Sequence, residues 1–126
     1  MPGYYPTKRE SDSGGVGQNA VVPRLSMPGD MPEEVLAVID VIGNNVRTEI
    51  LHRLAQRALT ARDLADQIGV HHGSVHRHLV LLEQHGLVTT DVDPGKRRGQ
   101  MVLWRTNSDK VSEWGQVWVR YGSGRE

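Results

Sequence analysis

The stretch between positions 71 and 85 holds five of the chain's six histidines: His71, His72, His76, His78 and His85. Imidazoles can bind a metal, carry a proton or hydrogen-bond an anionic surface. His72 and His76 stand four residues apart, the spacing that puts two ligands on one helical face. A metal needs further donors, however. The chain has no cysteine, and no carboxylate accompanies the pair nearby in sequence, so neither a metal nor a cofactor is expected. Catalysis lacks its other parts too. General bases exist among the histidines, but no nucleophile, paired carboxylates or glycine-rich phosphate loop stand with them, and the expectation is a protein that is not an enzyme.

Binding to a polyanion is the chemistry left open. If a helix over 71–85 turns Val75, Leu79 and Leu82 inward, then at about 100° per residue Gly73, Arg77 and Val80 point away from the core. His76 flanks that outer face, and His72 and Ser74 lie on the first turn. A DNA major groove admits a helix, whose N-terminal residues approach the base edges. Arg77 is then the candidate for a bidentate contact to guanine, Gly73 permits close approach of the backbone, and His72, Ser74 and His76 can read bases or grip phosphate. His78, three residues after Val75 and four before Leu82, reads instead as a packed, hydrogen-bonded histidine. Downstream, Lys96-Arg97-Arg98 form a basic tip that would release counterions from a flanking phosphate strand. Thr60 and Arg62 are secondary phosphate candidates at the start of a helix.

These residues need a scaffold, and the patterning supplies one. Residues 1–30 are rich in proline, glycine and polar residues and cannot bury enough apolar surface to offset their ordering entropy, so a flexible N-terminal arm is expected there. A first helix should begin at Pro32, bury Val35, Leu36, Ile39 and Ile42, and stop at Gly43. Asn44 or Asn45 can cap a second, with Ile50, Leu51, Leu54 and Ala55 inward. Thr60-x-x-Asp63 fits a capping box for a third helix, which ends at Gly69. The fourth starts near His71 and terminates at Gly86. Two short helices around Gly69-Val70 make a helix-turn-helix. The period then changes, and Leu87–Thr90 and Met101–Trp104 read as strands about a 93–99 turn, a hairpin in the position of a wing. A last helix from Ser108 or Asp109 carries Val111, Trp114, Trp118 and Tyr121 on one stripe, and residues 122–126 should fray. The fold class expected is mainly α with a small β-hairpin wing, its domain spanning 31–121.

Composition bounds the partners. With 15 basic and 15 acidic residues in 126, the formal net charge is zero, so charge placement rather than a global field must attract nucleic acid. No apolar run approaches the roughly 18 residues of a membrane span, and the N-terminus lacks a signal-peptide core. A cytoplasmic protein without a membrane partner is expected.

The order of helices and hairpin resembles the ArsR-type winged helix-turn-helix regulators, with the MarR type a more distant relative. The resemblance runs from about Glu33 to Tyr121. It is carried by Leu64-Ala65-Asp66-Gln67-Ile68-Gly69, by Ser74-Val75-His76-Arg77-His78-Leu79 and by Gly86-Leu87-Val88, which match the family's LA-x-x-LG helix, its T/S-V-S-R-H-L recognition helix and its G-L-V lead into the wing. Val46-Arg47 and Ile50-Leu51 resemble its second helix. The ligands of metal-sensing members are missing, since the third helix has no thiol and no histidine follows position 85. The resemblance implies a homodimer built from the first and last helices, here Val35 and Ile39 with Val111, Trp114, Trp118 and Tyr121. Trp114 and Trp118, four residues apart on the last helix of so small a domain, also suit an interface. The expected function is a sequence-specific regulator of double-stranded DNA, acting as a dimeric repressor. The alternative is a winged-helix protein-interaction or architectural module of a plasmid or phage type.

Overall fold

The computed structural model describes residue 29 and residues 31–125. The arm expected over 1–30 lies, Gly29 apart, outside the described residues. The unit from Glu33 onward contains α1 (Glu33–Ile42), α2 (Asn45–Gln56), α3 (Ala61–Ile68), α4 (His72–Gln84), β1 (Val88–Thr90), a 3-10 turn (Pro94–Lys96), β2 (Trp104–Thr106) and α5 (Ser108–Gly122).

Local chemistry sets the helix ends. The Asn44 side chain accepts from the Arg47 amide at 3.0 Å and starts α2. Thr60 does the same for α3 through the Asp63 amide at 3.1 Å, and Asn107 for α5 through Lys110 at 3.2 Å; each satisfies an amide that has no partner within its helix. Gly69 (φ 81°) and Gly86 (φ 76°) terminate α3 and α4 in the left-handed region, where a side chain would be strained. The end of α1 is closed by a side chain from α2. Arg47 donates from Nε to the Val41 carbonyl at 2.5 Å and from Nη2 to the Asp40 carbonyl at 2.9 Å, so a guanidinium meets the negative end of the helix dipole.

One apolar core joins the elements: Val41, Ile50, Leu51, Leu54, Leu59, Leu64, Val75, Leu79, Leu82, Leu87, Val88 and Trp104 are buried together. α3 packs on α4, α2 on β2, and α1 on α5. The strands are antiparallel, with Val88 opposite Thr106 and Thr90 opposite Trp104. Leu59 adds a bridge on the far side, exchanging backbone hydrogen bonds with Trp104 at 3.1 and 2.9 Å. The buried Thr106 hydroxyl donates to the Leu51 carbonyl at 2.8 Å, fastening β2 to α2.

Three expectations are corrected. The second strand is Trp104–Thr106 and not Met101–Trp104, because Trp104 must face the core while pairing with both Thr90 and Leu59. In α1 the buried stripe is Val35, Val38 and Val41, leaving Ile39 exposed. In α2, Ala55 is exposed. At the end of α5 the Ser123, Gly124 and Arg125 amides donate to the Val119, Tyr121 and Arg120 carbonyls at 3.0, 3.0 and 2.8 Å.

Candidate nucleic-acid interface

α4 has two unlike sides. Val75, Leu79 and Leu82 are fully buried, which pins the helix axially, while His72, His76 and Arg77 are exposed and Gly73 and Ser74 half-buried. The helix begins on an imidazole: His71 Nδ1 accepts from the Gly73 amide at 3.0 Å. A Cβ at Gly73 would sit 3.2 Å from that ring. The glycine thus makes room for the His71 cap. Arg77 donates from Nη2 to Ser74 Oγ at 3.2 Å, which directs an exposed guanidinium along the outer face.

α3 and the hairpin flank this face. Thr60, Arg62, His72, His76 and Arg97 line one groove of about 670 Å³, so residues separated by 37 positions share a surface. Arg57 and Met101 line it too, and sequence reasoning missed both. Arg57 follows α2 and was readable only as part of a polar face; Met101, 76% exposed, passed for a strand residue. The Thr60 hydroxyl is already engaged in the cap of α3. His76 stands edge-on to Trp104, with ring centroids 6.3 Å apart, linking the exposed helix face to the base of the hairpin.

The basic tip divides. Lys96 and Arg98 are exposed, whereas Arg97 turns inward. Its guanidinium donates to both Glu83 oxygens, at 3.1 and 2.5 Å, to Thr90 Oγ1 at 2.8 Å and, from Nε, to the Val92 carbonyl at 3.0 Å. It also covers the Trp104 ring at 5.0 Å. Its hydrogen bond to Glu83 raises its pKa, against the opposing effect of burial. Arg97, expected to reach phosphate beside its neighbours, here engages Glu83, because a planar fork matches a carboxylate and Glu83 lies within reach.

His78 is packed, as its position implies. Arg47 Nη1 lies 3.0 Å from His78 Nδ1, and since arginine can only donate, Nδ1 accepts and the ring proton belongs on Nε2. Burial first, then the Arg47 and Arg77 charges, hold the His78 pKa below its ordinary value. Among the described residues no group of three or more histidine, aspartate or glutamate side chains is placed to hold a metal ion.

The residues expected at a dimer interface separate into two sets. Val35 is buried within the protomer, and Val111 and Trp114 pack against the core, Trp114 with His85 edge-on at 5.4 Å. Val35 therefore offers no surface to a partner. Ile39 and Trp118 remain 43% and 53% exposed, with Val119 beside Trp118 at 41%. Tyr121 is half-buried. Among the described residues no helix is long and apolar enough to cross a membrane.

Five helices among the described residues, with a hairpin after the helix-turn-helix, define a winged helix-turn-helix domain. Residues 42–91 match the family model described as a helix-turn-helix domain. The HTH-type transcriptional regulator KmtR of Mycobacterium tuberculosis is 29% identical over 87 residues, covering 69% of this chain and 63% of its own length. The ArsR-like transcriptional regulator from Rhodococcus sp. RHA1 superposes with a TM-score of 0.57 at 24% identity, over 73% of this chain and 82% of that one. The homodimeric winged helix-turn-helix DNA-binding domain of Mb0332 from Mycobacterium bovis, a possible ArsR-family transcriptional regulator, gives 0.54 at 23% identity, over 74% and 88%. These solved structures share the winged helix-turn-helix fold of this chain.

Proposed function

We propose that this protein is a cytoplasmic, homodimeric, sequence-specific DNA-binding repressor, and not an enzyme. α4 reads the major groove, with Arg77 contacting guanine and His72, Ser74 and His76 contacting bases or phosphate. Lys96 and Arg98 hold a flanking phosphate strand, and Arg62 with the α3 N-terminus a second. The carrying observation is that α4 has one face fully buried and an opposite face bearing His72, His76 and Arg77, flanked by α3 and the hairpin about one groove. Residues 31–121 form the DNA-binding domain, with α5 as its dimerisation helix. The homodimeric relative Mb0332 and the exposed Ile39 and Trp118 support the dimer. A twofold dimer reads two half-sites about one helical turn apart.

Selection from random duplex DNA by the purified protein, alongside Arg77→Ala, tests this reading. A two-fold symmetric motif should be enriched by the wild type and lost in the variant. Retention of duplex without a motif would favour architectural binding, and no retention at low salt would favour a protein partner.

A further inference from the structure

The inward turn of Arg97 bears on how the hairpin serves the interface. Of the three basic residues at the tip, Arg97 alone is packed away: its side chain is 16% exposed, and that of Glu83, its partner from α4, 25%. Four of the five guanidinium donors are engaged, two on Glu83, one on Thr90 and one on Val92. Thr90 in turn donates to the Val92 carbonyl at 2.7 Å. Trp104, at the start of β2, lies beneath the guanidinium. One side chain thus ties together α4, the end of β1, the loop that follows it and the first residue of β2. Lys96 and Arg98 are its chain neighbours, so the placement of both exposed cations relative to α4 depends on where Arg97 is held.

Glu83 itself needs explanation at such a site. A carboxylate on the helix that meets DNA repels phosphate and would ordinarily weaken binding. Its geometry here supplies a compensating role. A bidentate ion pair that is largely withdrawn from water fixes direction as well as distance, which a surface lysine could not do.

Resting on the DNA-binding reading above, we infer that Arg97 and Glu83 are positioning residues: they lock the wing onto the recognition helix so that Lys96 and Arg98 reach phosphate while Arg77 reaches bases. Arg97 does not contact DNA.

Glu83→Ala, Arg97→Lys, Arg97→Ala and the Glu83→Ala/Arg97→Ala double variant test the lock by duplex binding and by amide hydrogen exchange over residues 92–103 of the free protein. Alanine is a strong helix former at position 83, and lysine keeps the charge at 97, so the fold is preserved. The expected result is a loss of affinity of roughly tenfold or more for Glu83→Ala and for Arg97→Lys, with the double variant no weaker than Arg97→Ala, and faster exchange over 92–103 in every variant. Three results would overturn the inference: tighter or unchanged DNA binding by Glu83→Ala, wild-type binding by Arg97→Lys, or unchanged exchange in the wing. Exchange needs no DNA. Should the wild type bind no duplex, the functional proposal fails while exchange alone still decides the lock.

Discussion

In the homodimer proposed above, Trp118→Ala should weaken association while leaving the protomer folded. In the protomer Trp118 is 53% exposed. A tryptophan carries about 250 Å² of buriable surface, so about 130 Å² remains wet. At about 25 cal/mol per Å² this amounts to about 3 kcal/mol per copy if fully covered. Twofold symmetry places the residue in the interface twice, which doubles the figure to about 6 kcal/mol. If coverage by the partner is half complete, about 3 kcal/mol is lost on truncation, or roughly a hundredfold in the dimer dissociation constant. Sedimentation equilibrium over a concentration series measures that constant directly. Urea unfolding of the monomeric variant supplies the control, since a half-exposed side chain contributes little to the protomer's own core. Equal dissociation constants for variant and wild type would remove α5 from the interface and refute the reasoning. So would a wild type that stays monomeric at all concentrations.

Thr60→Ala removes the acceptor for the Asp63 amide and should cost about 1 kcal/mol of stability in urea melts. Replacing both Lys96 and Arg98 by alanine should lower the slope of log affinity against log salt by about 1.8, from about 0.9 for each phosphate contact; a salt titration of duplex binding reads it. His78 predicts a pH dependence. Its folded pKa lies below the ordinary 6.5, so the unfolded chain binds the proton more readily, and stability is lost as pH falls from 6.5 through the folded pKa. Chemical unfolding between pH 5 and 8 should show that loss, and His78→Gln, which keeps a neutral acceptor toward Arg47, should diminish it.

The helix-turn-helix was legible because its signals are local. Thr60, Gly69 and Gly86 act within a few residues, and the stripe of Val75, Leu79 and Leu82 is unambiguous against its polar neighbours. α1 was harder, for a physical reason. Its sequence is apolar on most sides, so periodicity alone could not decide between Ile39 and Val38, and packing on α5 decided it. The hairpin depended on distance. Met101–Leu103 has strand-like composition, but pairing begins at Trp104, whose ring is drawn into the core formed by α2 and α4. The triplet of basic residues looked uniform in sequence. Only Glu83, 14 positions away, distinguishes Arg97 from Lys96 and Arg98, and nothing in their own neighbourhood announces it.

The bridge between Leu59 and Trp104 makes the hairpin separable into an anchored stem and an interchangeable tip. Trp104 is bonded on one side to β1 and on the other to the residue just before the α3 cap, so the backbone bonds that seat the stem lie outside the chain between Pro94 and Gln100. Tips of other lengths and charges can therefore be grafted between Asp93 and Met101 with the helices undisturbed, provided the arginine that reaches Glu83 is kept. In the function proposed above, grip on the DNA backbone would then be exchangeable independently of the sequence that α4 selects.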